Sequence, residues 1–264
     1  MLFRSLRAID VKALQEHLVK IKNLDPSVLT AVDSYPFSDA QIAEAVARLG
    51  DLTNNYEKVA VVLAEPKRAV PLLEQAYRQA KTDEARLAYA HLLGIMGNPL
   101  GEKTLIEKLE ASEWDDGWNF KGMSQFGRSV SWIDSYVIAL GRCGSKKALP
   151  AILRKAEALT EASAFSHFRA VAMALEALGD KSAAPVLAAV LDKPGIRGQA
   201  FARDAMPGVP GHANAASDIE RSKCLREIAV ARALVRLGDH EGKGRAVLQA
   251  YADDPRGVYA RHAQ

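Results

Sequence analysis

A helix–glycine–helix unit recurs along this chain, and it restricts the fold more than any other feature. It reads LLGIMGNPLGEKTLIEKLE at 92–110, ALGRCGSKKALPAILRKAE at 139–157, LEALGDKSAAPVLAAVLD at 175–192 and LVRLGDHEGKGRAVLQAY at 234–251. The turn glycines are Gly97, Gly144, Gly179 and Gly238. A related copy, VVLAEPKRAVPLLEQAY at 61–77, lacks the glycine. It keeps an Ala-x-Pro element, Ala69-Val70-Pro71, that returns as Ala148-Leu149-Pro150 and Ala183-Ala184-Pro185. Glycine after the first helix permits the left-handed conformation that ends it. Proline near the start of the second helix fits the first turn, where its missing N–H matters least. A single hairpin of this kind cannot bury its apolar face alone, whereas hairpins stacked side by side share a continuous core. No segment alternates as a strand would. The expected fold is all-α: an α-α superhelix of stacked helical hairpins.

The repeat period, the helix pair and the Gly-Asp turns at Gly179-Asp180 and Gly238-Asp239 resemble HEAT-type repeats over residues 57–264. That resemblance implies a HEAT-like solenoid but no particular activity, because such arrays host unrelated functions. Residues 1–56 are less regular and are expected to form an N-terminal helical cap. Val11–Ile21 is amphipathic, Asp25-Pro26 breaks it, and Ala40–Leu49 is a further helix ending at Gly50. Ser38 with Gln41, and Ser217 with Glu220, have capping-box spacing; Thr82 and Ser131 are further candidate caps. The final GVYARHAQ reads as a first helix cut short, as in a fragment or a frayed end.

The turns are unevenly spaced. Two long inter-repeat loops account for the excess, at 113–129 and 193–217. Both follow the second helix of a unit, so both emerge at one edge of the stack and can meet across the intervening repeat. Loops of this length in a compact fold are usually functional or disordered. The first, EWDDGWNFKGMSQFGRS, contains Trp114, Trp118, Phe120 and Phe126, and all three tryptophans of the chain fall between 114 and 132. Disordered segments are depleted in aromatics, so this loop is expected to pack. Its rings either plug the space between repeats or anchor a partner. The candidate partner-binding residues are Trp114, Asp115, Asp116, Trp118, Phe120, Phe126 and Arg128 in the first loop, with Arg197, Arg203 and His212 in the second. Trp132 opens a helix continued by Tyr136, Val137 and Leu140, and is expected to face the core.

Nothing else in the sequence carries chemistry strongly. Asp115, Asp116, His167, Asp204 and His212 form no pair with metal-ligand spacing on a helix, so no metal site or cofactor is expected. Gly208-Val209-Pro210-Gly211 and Gly242-Lys243-Gly244 lack the strand–loop–helix setting of a phosphate cradle. Cys143 and Cys224 lie in apolar helical patterns and read as buried thiols. A net charge of +3 is small for 264 residues and makes nucleic acid an unlikely partner. The start shows no sustained apolar segment or cleavage site, so no membrane association and a cytoplasmic location are expected.

A narrower resemblance exists. DDGWNFKGMSQFGRSVSWIDSYVIALGR, with FSHFRAVAMALEALGD and DKPGIRG downstream, is similar to the C-terminal helical region of certain large bacterial FAD-dependent oxidoreductases. AIDVKALQEHL resembles the end of their flavin-binding part. This implies an accessory domain or a stand-alone relative. With no G-x-G-x-x-G after a strand and no βαβ unit, no flavin-binding residue carries over. The expected function is a non-catalytic protein-interaction or scaffold module. A HEAT-like DNA glycosylase, with Glu113-Trp114-Asp115 suggestive of one, or another nucleic-acid-acting enzyme, and a purely structural spacer are the alternatives.

Overall fold

Within the described residues the apolar stripes read from the sequence form helices in the computed structural model, which describes residues 36–50, 56–120, 131–202 and 215–263. Among the described residues every regular element is helical: α1 (Asp39–Arg48), α2 (Tyr56–Ala64), α3 (Pro66–Gln79), α4 (Asp83–Ile95), α5 (Glu102–Glu110), α6 (Trp132–Arg142), α7 (Leu149–Glu157), α8 (Phe165–Leu178), α9 (Ala184–Leu191), α10 (Ala215–Arg236), α11 (Lys243–Ala252) and α12 (Ala260–Ala263). The helix expected at Val11–Ile21 lies outside the described residues.

The hairpins α4–α5, α6–α7, α8–α9 and α10–α11 stack in order. The first helices, α4, α6, α8 and α10, each pack on the next; α5, α7 and α9 form a second layer. This is an all-α, HEAT-like superhelix. The glycines close the hairpins as anticipated, with φ of +82° at Gly97, +69° at Gly144, +65° at Gly179 and +105° at Gly238. The residue after the glycine matters as much. Asn98, Ser145 and Asp180 each accept a backbone N–H two residues on and start a single 3₁₀ turn that leads into the second helix. Asp239 differs: it takes a φ of +60° itself and caps α11 through the N–H groups of Gly244 and Arg245.

Ser38 and Gln41 form a full capping box, and Thr82 and Ser131 cap α4 and α6. Two details depart from the sequence reading. Helix α10 is already running at Ala215, so Ser217 is not its N-cap. Pro71 sits inside α3, which starts instead at Pro66; Pro71 is tolerated there because it faces solvent. Pro150 and Pro185 do occupy the first turns of α7 and α9.

The buried side chains fall into two clusters. One joins Ile42 through Leu93 on α1–α4; the other runs from Ala90 on α4 to Ala263. Close helix approach within the second depends on small residues. A Cβ on Gly141 of α6 would lie 2.4 Å from the Ala174 Cα of α8. Cys143 and Cys224 are both buried and unpaired, and burial pushes the Cys143 thiol up to about 11.

Candidate functional site

The described part of the first insertion runs from α5 across the N-terminal ends of two first-layer helices. Helix α6 has its own Ser131 cap, but α8 has none. The N-cap position of α8 is Ala164, whose side chain cannot accept a hydrogen bond. Asn119 supplies one instead: the Phe165 N–H donates to Asn119 Oδ1 at 2.8 Å. The Ser166 N–H donates to the Trp118 carbonyl at 3.1 Å, and Ser166 Oγ accepts the Trp118 N–H at 3.0 Å. Asp115 does the same for α6. Its carboxylate accepts from Ser131 Oγ at 2.5 Å, the Trp132 N–H at 2.7 Å and the Ile133 N–H at 3.4 Å. A carboxylate at a helix N-terminus also meets the positive end of the helix dipole. One segment thus satisfies donors on two successive helices from outside both.

The aromatic residues divide along this path. Trp114 stacks on the buried His167 ring, with centroids 4.3 Å apart, and Lys155 Nζ lies over the Trp114 ring at 5.6 Å. His167 is held at both nitrogens, by Asp134 Oδ1 at 2.7 Å and the Asp115 carbonyl at 3.1 Å. Gly117 passes this ring so closely that a Cβ would sit 2.6 Å from His167 Cε1. Asp115 and Trp114 are therefore built into the joint between α6 and α8, whereas Glu113 is exposed. Asp116 is exposed.

Trp132 does not face the core. It is 54% exposed, stacked on Tyr136 at 6.2 Å and edge-on to His91 at 6.1 Å. As the first residue of α6 it precedes the turn at which the helix reaches the interior, where Ile133, Asp134 and Tyr136 are buried. His91 is pushed down to about 4 by burial.

Trp118 and Phe120 reach further. They meet Phe165 at 5.2 and 5.3 Å. The Phe120 N–H donates to Ser222 Oγ on α10 at 2.9 Å, and the Arg221 guanidinium lies 4.2 Å over the Phe120 ring. These rings close one end of a groove between α8 and α10, of about 460 Å³. Its floor is apolar, with Ala172, Leu225 and Ile228. Four arginines edge it, Arg169, Arg221, Arg232 and Arg236, against one carboxylate, Glu176. Glu176 is taken by an ion pair with Arg236. Arg169, Arg221 and Arg232 have no carboxylate partner among the described residues. His262, at the rim, is pushed down first by burial and then by Arg232, Arg261 and Arg221. A second hollow between α6 and α8, of about 300 Å³, shares Met173 and Glu176 with the first, so the furrow continues toward the N-terminal repeats.

The second insertion is fastened by a different device. The buried Glu227 of α10 accepts the N–H groups of Gly198 and Gln199 at 2.9 and 3.0 Å, and the Tyr251 hydroxyl at 2.6 Å. Its neighbour Arg226 donates to the carbonyls of Glu161 and Gly195, each at 2.7 Å. Arg256 lies 3.9 Å over Phe201 and donates to the Gln199 carbonyl and Asp254. Arg197 is exposed and pairs with Asp192 at 3.3 Å, away from the groove residues. Phe126, Arg128, Arg203 and His212 lie outside the described residues.

The two insertions therefore have separate anchorages, and α10 lies under both. The residues that edge the groove come largely from α8 and α10, whose arginines give no signal in sequence: Arg169, Arg221, Arg232 and Arg236 sit singly in amphipathic helices. Only the spacing of Arg221, Arg232 and Arg236, eleven and then four residues along one face of α10, marks three of them.

The hairpin that forms one wall can be compared directly. Residues 169–193 match the PBS lyase HEAT-like repeat. The matched stretch runs from Arg169 in α8 through the Gly179 turn and α9. It supports reading the chain as a HEAT-like array, since the same turn closes the neighbouring hairpins. No curated protein matches the chain significantly. No helix among the described residues is long and apolar enough to cross a membrane.

Proposed function

We propose that this HEAT-like array is a non-catalytic protein-interaction module whose partner docks in the groove between α8 and α10. One observation carries the reading. The groove has an apolar floor and an edge of arginines that lack carboxylate partners among the described residues, and the first insertion walls it with Trp118 and Phe120. Apolar floor, arginine edge and aromatic wall are the composition that recurs at protein interfaces. Asp115 and His167 are engaged in structural hydrogen bonds, which supports a binding role over catalysis at the insertion. A flavin-dependent oxidoreductase domain is the partner class suggested by the sequence resemblance, whose segments 115–142 and 165–180 include most of the insertion and one wall of this groove.

Site-specific photo-crosslinking in the native host tests the reading. A benzophenone side chain at Met173, in the groove, is expected to give a protein adduct. The same group at Ala189, on the exposed face of α9, is expected to give none. Adducts at neither position, or equally at both, would favour a structural spacer.

A further inference from the structure

We infer that the groove between α8 and α10 takes an acidic polypeptide segment, lying along α10 with its carboxylates toward Arg169, Arg221 and Arg232. This rests on the interaction reading above and gives it a ligand chemistry.

Charge selects the sign. Four arginines face one glutamate, and that glutamate is already paired with Arg236. The three remaining guanidinium groups have no carboxylate among the described residues. Arginine presents a planar fork that matches a carboxylate in two hydrogen bonds, which suits it to this task better than lysine.

Length selects a chain over a small anion. Arg221 and Arg232 are eleven residues apart on one helix, which corresponds to about 16 Å of rise. An extended segment covers that span with about five residues. A single phosphate or carboxylate cannot touch both, and about 460 Å³ is far more room than such an ion fills.

The aromatic wall selects polypeptide over nucleic acid. Single-stranded nucleic acid would need open ring faces on which bases stack. Phe120 has the Arg221 guanidinium over its ring and Phe165 tilted against it at 34°. Trp118 meets both phenylalanines edge-on, at 81° and 78°. These rings are committed to one another. Leu225, Ile228 and Met173 between the arginines instead offer contact to aliphatic side chains on the same segment.

The test is selection from a phage-displayed library of random twelve-residue peptides, panned on the full chain. Enrichment of Asp and Glu over the starting library is expected. A synthetic peptide from the selected set should bind with a Kd that rises about tenfold or more in R169E/R232E and with added salt. It should be unchanged in K147E, an exposed lysine outside the groove. Should R169E/R232E fail to fold by circular dichroism, R169Q/R232Q replaces it, with a smaller loss in the same direction. Selection of neutral or basic peptides, or an affinity indifferent to both arginine variants, overturns the inference. So does an oligothymidylate that binds more tightly than the peptide and depends on the same arginines. A protein adduct at Met173 alongside any of these would leave the interaction module standing and remove only its acidic ligand.

Discussion

Trp114 and Trp132 show how far a residue's role depends on what lies across from it. Trp132 is the first residue of α6 and mostly exposed, so truncation to alanine removes little more than edge and stacking contacts with His91 and Tyr136. The expected cost is about 1 kcal/mol or less. Trp114 is half-buried against His167 and Lys155, and its removal leaves a gap at the α6–α8 joint. The expected cost is about 2–3 kcal/mol, somewhat below that of a fully buried tryptophan. Thermal melts of the two variants check this, and a larger loss at Trp132 would contradict it. His91 supplies a pH dependence. Its buried ring is held down to about 4, against 6.5 when unfolded. The unfolded chain therefore binds more protons between these values, and stability falls as pH drops from about 6.5 toward 4. The full effect is about 3 kcal/mol. His91→Phe should flatten that part of the stability profile in urea titrations, and an unchanged slope would show that other groups control it.

Elements in this chain were legible where the signal is local. The glycine turns, the capping box at Ser38 and the alternation of first and second helices all follow from residues a few positions apart. What escaped was supplied from a distance. Nothing in ASAFSHF shows how α8 starts, because its donors are met by Asn119 and the Trp118 carbonyl, over forty residues earlier. The aromatic insertion stood out in sequence, but its capping function did not. The groove was less legible still, since its arginines come from two helices and look like ordinary solvated charge. Capping at a distance makes a sharp prediction. Asp115→Ala should cost about 1–3 kcal/mol, because three donors at the start of α6 lose a charged acceptor. Asp115→Asn, which keeps an oxygen acceptor, should recover part of that. Chemical denaturation of both variants checks the order. Gly141→Ala tests the helix contact itself: the added methyl meets the Ala174 backbone at 2.4 Å, so α6 and α8 must separate, at about 1–3 kcal/mol.

At the scale of the molecule, the two buried clusters meet on a single helix. Tyr89, Leu92 and Leu93 of α4 belong to the N-terminal cluster, and Ala90 belongs to the long C-terminal one. In a stacked array each unit contacts mainly its neighbours, so stability is close to a sum of local terms and need not be lost all at once. Leu73 on α3 is fully buried in the first cluster, while Leu187 on α9 is fully buried in the second. Truncating either to alanine leaves a cavity worth about 2–5 kcal/mol. The consequences should differ by place. In Leu73→Ala, amide exchange should quicken across α1–α4 while α8–α11 keep their protection. In Leu187→Ala, it should quicken across α7–α10 while α1–α3 are unaffected. Hydrogen exchange read by mass spectrometry separates these patterns. The groove gives the comparison a functional edge, because its walls, α8 and α10, lie wholly in the second cluster. Leu73→Ala should therefore leave binding at the groove intact even as its own end of the array loosens. Uniform loss of protection in both variants would instead mean that α4 couples the two clusters into one cooperative unit.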